Sequence, residues 1–393
     1  MPPCRSRLHF SLFRVSHCPP KLAEFLGILA SGSFARCPPK LAHRLPPLPP
    51  PLPWGLRRIL PDHPEPALMI GSLRVERDVP LSGLCTFGVG GPARWLVRVR
   101  DAAAVREAAA LARRQGMRSV VLGRGSNCLF SDRGFDGLVV VNEIDFLSFC
   151  VPEGSGSTDA IARAGSGYPF NALGAALSAD GYTGLEFAAG IPGTVGGAVY
   201  MNAGADGADA SGCLHSVEYV TRGGAMRTVH ARDLDPDAFG YRRSPFQDEA
   251  GTSGREESDG LFAIVAASFA LRRCEGAAER ARVNLKRRGA NQPLRAKSAG
   301  CVFRNPTGGP SAGALIDGLG LKGFAIGSAA VSQVHANFLV SQGGPSRGDA
   351  NAHTGHPGGE GPGGDMRALI AFVKEAVHRE TGYELQEEIR LIE

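Results

Sequence analysis

The sequence predicts a protein of the α+β class whose ordered part begins near Leu68. Short β-branched runs alternate with alanine-rich helical stretches, and the first of them follow one another as strand, helix and strand. A dense apolar run at 261–271 has the composition of a strand in a covered sheet. Because 393 residues exceed the roughly 100 to 200 of a typical domain, we expect two or three domains.

The predicted elements follow one another along the chain from residue 95 to residue 392. Asp101 is a good N-cap for the first helix, which Gly116 ends. The next helix stops at Asp180 and Gly181. Strands are predicted at 95–99, 119–122, 138–141, 216–221, 228–230, 261–271, 338–340 and 383–392, and helices at 102–115, 172–179, 276–288 and 365–381. A glycine-rich loop is predicted at 342–364.

Residues 1–67 form a basic, proline-rich extension that we expect to be disordered. Residues 1–61 hold nine Lys and Arg against one acidic residue, which leaves 34 basic and 37 acidic residues in the remainder. The composition is that of an organellar transit peptide, which predicts the plastid stroma if the source is a eukaryote. The alternatives are a plain extension or a misassigned start, with a cytoplasmic protein if the source is a bacterium.

The bulk composition excludes several classes of protein. The nearly neutral remainder gives no electrostatic basis for binding nucleic acid. Nine cysteines, an odd number without a Cys-x-x-Cys pair, argue against a disulfide framework and against a zinc site. No run approaches the roughly 18 to 20 apolar residues that cross a bilayer. We expect a monomer that acts on small molecules away from membranes.

Two glycine-rich segments are candidate cofactor sites. Residues 121–127, Val-Leu-Gly-Arg-Gly-Ser-Asn, follow a strand, so their backbone N–H groups can face a diphosphate; the alternative is a simple turn. The Rossmann fingerprint is excluded because the third glycine and the following helix are absent. Residues 184–204 carry six glycines, which either clear a path for a flat ring system or allow close helix packing, and both can hold together.

Cys301 lies in the segment 296–306, Ala-Lys-Ser-Ala-Gly-Cys-Val-Phe-Arg-Asn-Pro. A cysteine with apolar neighbours is commonly an inert core residue. Its thiol is also acidic enough to donate a proton, so the sequence leaves both interpretations open.

Together these segments resemble the UDP-N-acetylenolpyruvoylglucosamine reductase (MurB) family from about residue 79 to residue 393. The resemblance rests on 85–93, 122–127, 184–204, Tyr-Arg-Arg-Ser at 241–244, 296–306, Gly-Leu-Lys-Gly at 320–323, 331–338 and Glu-Ile-Arg at 388–390. It implies a two-lobed FAD-binding domain of the vanillyl-alcohol oxidase (PCMH) type at 68–274, with lobes at about 68–141 and 142–274. An α/β substrate-binding domain follows at 275–393.

The resemblance also implies a reaction and its cofactors. In this family NADPH reduces FAD, and the flavin then reduces UDP-N-acetylglucosamine enolpyruvate to UDP-N-acetylmuramate for peptidoglycan biosynthesis. The alternatives are an FAD-dependent oxidase of the same fold with another substrate and a catalytically inactive flavin-binding paralogue.

The family's site residues transfer to named positions of this chain. Arg242 matches the catalytic arginine, and Glu388 matches the carboxylate that assists it; Glu387 is the reserve candidate, on the opposite face if the segment is a strand. Cys301 replaces the usual proton-donating serine. FAD contacts are expected at Gly123, Arg124, Gly125, Ser126, Asn127, Gly190, Ile191, Pro192, Gly193, Thr194, Gly196, Gly197, Asn202, Ala203 and Gly204, and substrate contacts at Tyr241, Asn305, Lys322 and His335.

Overall fold

The computed structural model describes residues 67–151, 160–247, 259–342 and 361–393. The predicted basic extension, up to residue 66, and residues 343–360 of the predicted glycine-rich loop lie outside this part. Across the described ranges, no helix combines the length and the apolar character needed to cross a membrane.

The described chain contains both strands and α-helices. The strands are β1 (Leu68–Ile70), β2 (Leu73–Pro80), β3 (Pro92–Val99), β4 (Ser119–Leu122), β5 (Cys128–Phe130), β6 (Phe135–Asn142), β7 (Leu147–Cys150), β8 (Ala160–Gly165), β9 (Tyr182–Thr183), β10 (Gly204–Ala205), β11 (Ala208–Asp209), β12 (Leu214–Thr221), β13 (Met226–His230), β14 (Leu261–Arg273), β15 (Ala325–Ile326), β16 (Ala329–Val331), β17 (Leu339–Ser341) and β18 (Arg390–Ile392). The α-helices are α1 (Ala102–Arg114), α2 (Phe170–Ala179), α3 (Val195–Tyr200), α4 (Ala277–Asn291), α5 (Ala312–Gly318) and α6 (Pro362–Thr381).

The first sheet has the strand order β1-β2-β3-β6-β4. Both β3 and β4 pair with β6 in parallel, and α1 connects them, which confirms the predicted strand–helix–strand unit. The predicted cap is confirmed as well, because Asp101 Oδ1 accepts a hydrogen bond from the N–H of Ala104 at 2.8 Å. The first glycine turn follows β4 directly, at the carboxyl edge of the parallel strands.

The second sheet is antiparallel and has the order β13-β12-β14-β8-β7, with β9 paired to the end of β14. Its central strand β14 is the predicted run at 261–271, extended by two residues. Residues of β14 are buried in succession, which is the pattern of a strand covered on both faces. A core that includes Phe170, Phe187 and Phe269 packs α2 and α3 against this sheet.

The third part packs α5 and α6 against the antiparallel sheet β15-β16-β17 around a core that includes Phe303 and Met366. The predicted strand at 383–392 is wrong for most of its length, since only β18 pairs as a strand, in parallel with β5. An alternating sequence pattern does not reveal whether a neighbouring strand is available for pairing. Here only residues 390–392 find such a partner. The chain end thereby returns to the first glycine turn. The boundaries at 274 and 275 stay a prediction.

Candidate active site

A cavity of about 1260 Å³ lies between the two glycine segments, the turn at 240–243, the thiol segment and the C-terminal residues 388–393. Pockets for small-molecule ligands measure roughly 300 to 1,000 Å³. The cavity therefore has room for a large cofactor together with a second ligand.

The first glycine turn forms one wall of this cavity, and all five predicted residues, Gly123 to Asn127, line it. The turn is held through its carbonyl groups, because Gly125 O accepts from the N–H of Thr86 at 3.1 Å and Asn127 O accepts from the N–H of Arg390 at 2.9 Å. Within the described ranges, no hydrogen-bond acceptor is assigned to the N–H groups of residues 124–126. These donors are available to an anionic group.

The second glycine segment approaches the first so closely that side chains are excluded between them. A Cβ on Gly123 would collide with Thr194, and one on Gly193, where φ is +118°, would lie 2.8 Å from Ser126 Oγ. The close-packing interpretation of this segment is supported, since Gly196 also packs closely against Ser166, and a path for a flat ring system stays a prediction. Of the predicted residues in this segment, the cavity lining contains Ile191, Pro192, Gly193, Thr194, Gly196, Gly197, Ala203 and Gly204.

Gly190 and Asn202 are outside the lining of the cavity. The buried side chain of Asn202 donates to Asp209 Oδ2 at 3.1 Å and to Gly240 O at 3.0 Å. Asn202 thus ties the second glycine segment to the turn that carries Arg242. Its role in the structure is to position these segments, and a side-chain contact with FAD stays a prediction without support from this geometry.

Ser166 is a site residue that the sequence reasoning missed. It lines the cavity, is buried, and its Oγ has no hydrogen-bond partner among the described residues. A buried hydroxyl without a partner is costly, which indicates that a ligand completes it. Its Gly-Ser-Gly turn at 165–167 follows β8, the same signal that marked the first turn. Free amides, this hydroxyl and glycine-lined walls fit FAD.

Arg242 lies in a tight turn whose ends, Gly240 and Arg243, exchange two backbone hydrogen bonds of 3.0 Å. Arg242 has a φ of +56°, which is unusual for a residue with a side chain and is a form of strain that clusters at functional sites. Its Nε donates to Glu388 Oε1, and its Nη1 donates to Gly204 O at 3.3 Å. Tyr241 Oη donates to the other carboxylate oxygen of Glu388 at 3.1 Å.

Glu388 is brought beside the thiol segment by the backbone. Its N–H donates to Val302 O at 2.7 Å, next to Cys301. Glu387 instead pairs with Lys374 at 2.8 Å and is absent from the cavity lining, so the structure favours Glu388 over the reserve candidate. Arg242, Cys301 and Glu388 thus all line the same cavity, and Arg242 and Glu388 form an ion pair in it.

Cys301 is half-buried, but its place in the cavity lining argues against an inert core residue. Burial and the negative charge of Glu388 raise the pKa of its thiol to about 11, although Arg242 and Arg288 act in the opposite direction. Burial and the same carboxylate raise the pKa of Tyr241 to about 12. Both groups therefore hold their protons at neutral pH, which a proton donor requires.

Three of the four predicted substrate residues line the cavity, namely Tyr241, Asn305 and His335. Burial, and then the charge of Lys322, lower the pKa of His335, whose Nδ1 accepts from the N–H of Asn337 at 3.2 Å. Lys322 is outside the lining, and its Nζ donates to Asp317 at 2.7 Å. Across the described ranges, no three His, Cys, Asp or Glu side chains cluster as a metal site would require.

Two family profiles match the chain. An FAD binding domain matches residues 93–230, and the C-terminal domain of UDP-N-acetylenolpyruvoylglucosamine reductase matches residues 292–356. The matches support the predicted α+β fold class, with a flavin-binding domain of the vanillyl-alcohol oxidase type ahead of a second domain.

Relatives of this chain carry the same family name. UDP-N-acetylenolpyruvoylglucosamine reductase of Protochlamydia amoebophila is 40% identical over 312 residues, which are 79% of this chain and 92% of that protein. The enzyme of Chlamydia felis is 37% identical over 318 residues, 81% of this chain and 94% of that protein. The crystal structure of MurB from Thermus caldophilus has a TM-score of 0.60 at 30% identity and covers 82% of this chain and 100% of its own. The chain therefore belongs to the UDP-N-acetylenolpyruvoylglucosamine reductase family.

Proposed function

We propose that the protein reduces UDP-N-acetylglucosamine enolpyruvate to UDP-N-acetylmuramate with NADPH, a step of peptidoglycan precursor biosynthesis. The observation that carries this proposal is the convergence of Arg242, Glu388 and Cys301 beside two glycine turns in one cavity. FAD, when bound along those turns, supplies the hydride for the enolpyruvyl double bond. The chain's own residues bind the substrate, stabilise charge and deliver a proton.

Arg242 stabilises the negative charge that develops on the carboxylate side of the substrate when its β carbon accepts hydride. The ion pair with Glu388 and the bond to Gly204 O fix the guanidinium before the substrate arrives. A fixed donor of this kind needs little reorganisation in the transition state, which is the source of its catalytic effect. Tyr241 holds the other oxygen of Glu388 and keeps this pair oriented.

Cys301 delivers the proton to the α carbon. A thiol is a stronger acid than the serine hydroxyl that the family resemblance leads one to expect at this position. Its pKa of about 11 keeps it protonated throughout the neutral range. The replacement of serine by cysteine is therefore compatible with the reaction and does not by itself indicate an inactive paralogue.

The remaining contacts follow from the shape of the cavity. The first glycine turn would hold the FAD diphosphate through its free N–H groups, and Ser166 would add a hydroxyl that the sequence reasoning did not include. Asn305 and His335 contact the nucleotide substrate from the third part of the chain. Lys322 joins them only if it leaves Asp317, because their ion pair holds it away from the cavity.

The compartment and the oligomeric state complete the proposal. The relatives described above come from bacteria, which favours the cytoplasmic alternative over the plastid stroma. The transit-peptide interpretation of residues 1–67 has no support from these comparisons. We keep the expectation of a monomer that binds the nucleotide substrate and NADPH.

NADPH oxidation by the purified full-length protein, followed at 340 nm, tests the proposal. The rate should rise strongly on addition of UDP-N-acetylglucosamine enolpyruvate, with one UDP-N-acetylmuramate formed for each NADPH consumed. Rapid oxygen consumption that ignores the nucleotide would point instead to an oxidase of the same fold. Bound FAD that NADPH fails to bleach would point to an inactive paralogue.

A further inference from the structure

Gln247 follows the turn that carries Arg242, and the chemistry above gives it no role. Its side chain is half-buried and lines the cavity. The amide Nε2 donates to two backbone carbonyl groups, to Tyr200 O at 2.7 Å and to Arg242 O at 3.1 Å. Tyr200 is the last residue of α3, in the second glycine segment. One amide group therefore joins the backbone of Arg242 to the wall of the cavity.

The backbone of Arg242 needs such support because its φ of +56° is unfavourable for a residue with a side chain. Two amide side chains hold the carbonyl groups of this turn: Asn202 donates to Gly240 O at 3.0 Å, and Gln247 donates to Arg242 O. The carbonyl group of Arg242 changes direction when its own backbone dihedrals change. A rotation of Arg242 out of the left-handed region would therefore break its hydrogen bond with Gln247, so the bond opposes that rotation.

The conformation of this backbone determines where the side chain of Arg242 points, since the direction of the Cα–Cβ bond follows from it. From its present position the guanidinium donates to Glu388 Oε1 and to Gly204 O at 3.3 Å. We propose that Gln247 is a positioning residue, whose amide holds Arg242 in the conformation that directs its guanidinium to Glu388. The effect of Gln247 on the reaction rate rests on the proposed function. Direct contact of Gln247 with a bound ligand would have different consequences.

Gln247→Met keeps the length of the side chain but removes the donor, and anaerobic stopped flow measures its effect in the FAD-containing full-length protein. Reoxidation of the reduced flavin by UDP-N-acetylglucosamine enolpyruvate should slow about tenfold or more, because a catalytic group displaced by about 1 Å loses much of its effect. Reduction of FAD by NADPH should change by less than about twofold. In an Arg242→Ala background, Gln247→Met should slow reoxidation by less than about twofold further, since no guanidinium is left to position. Gln115→Met, at the exposed end of α1, is the matched control.

The Nε–H resonance of Arg242 in NMR spectra gives a second readout that does not need the reaction. Arg242→Lys assigns this resonance by its loss, and the hydrogen bond to Glu388 should protect its proton from exchange in the wild type and in Gln115→Met. Gln247→Met should remove that protection, and a resonance that keeps it would overturn the proposal.

Equal slowing of both half-reactions, or a loss that adds fully to that of Arg242→Ala, would also overturn the proposal and indicate a ligand contact or a general structural role. Should Gln247→Met fail to fold, Gln247→Asn, whose amide is one methylene shorter, is measured in the same way and must show the same selective loss. Failure of the proposed function is a separate result. The nucleotide would then leave the flavin of the wild-type protein reduced, while the Arg242 resonance would still decide the role of Gln247.

Discussion

Replacement of Cys301 separates the two halves of the reaction. Cys301→Ala removes the proton donor but leaves the cofactor walls intact, so reduction of bound FAD by NADPH should change little. Reoxidation of the reduced flavin by the enolpyruvyl nucleotide should slow by about 10²- to 10⁴-fold, the usual contribution of a positioned general acid. Cys301→Ser restores a donor and should recover a substantial part of that loss. Anaerobic stopped-flow absorbance at 450 nm measures each half-reaction separately.

The pH dependence of the same half-reaction follows from the environment of the thiol. With a pKa of about 11, about 3% of Cys301 is ionised at pH 9.5, whereas an unperturbed thiol near 8.5 would be about 90% ionised. The reoxidation rate should therefore be nearly the same at pH 7.5 and pH 9.5, and iodoacetamide should label the site slowly at neutral pH. Equal losses of both half-reactions in Cys301→Ala would refute the assignment of Cys301 as the proton donor. A rate that falls with a midpoint near pH 8.5 would contradict the raised pKa of its thiol.

Three further substitutions test the surrounding structure. Glu388→Ala leaves Arg242 largely buried without its carboxylate, so urea denaturation should show a loss of about 3 kcal/mol, and an unchanged midpoint would contradict the pairing. Gly123→Ala should lower the flavin content of the purified protein because the new Cβ collides with the second glycine segment, whereas Gly212→Ala, with nothing within 4 Å, should retain it. Burial disfavours the ionised form of Glu186, but hydrogen bonds from a threonine, a backbone amide and an arginine prevail and lower its pKa. Ionised Glu186 therefore stabilises the folded protein above about pH 4.3, and this contribution is lost as the pH falls through the lowered pKa. The difference in Tm between wild type and Glu186→Gln should accordingly shrink from pH 7 to pH 3.5.

The sequence predicted those secondary-structure elements whose determinants lie within a single short segment. The helix after Asp101 has its cap, its apolar face and its end within one segment, and the structure places it as expected. The strand at 383–392 was overestimated because pairing depends on a distant edge, and only β18 reaches β5. The sequence pattern contains no information on which edges remain free.

The candidate site shows the same difference between what local sequence reveals and what depends on distant residues. Arg242 and Glu388 are 146 residues apart in the sequence. Only the family resemblance predicted that they act in the same site. Lys322 lies outside the cavity lining and pairs with Asp317 of the adjacent helix, so its contact with the substrate stays a prediction. Ser166 was missed although its turn carries a visible glycine signal, since nothing in the sequence shows that its hydroxyl is buried without a partner.

Anaerobic titration of the NADPH-reduced protein with UDP-N-acetylglucosamine enolpyruvate tests the central claim most directly. One equivalent of the nucleotide should restore the absorbance of oxidised flavin within the turnover time and yield one equivalent of UDP-N-acetylmuramate. A flavin that stays reduced with the nucleotide and is reoxidised only when oxygen is admitted would contradict it.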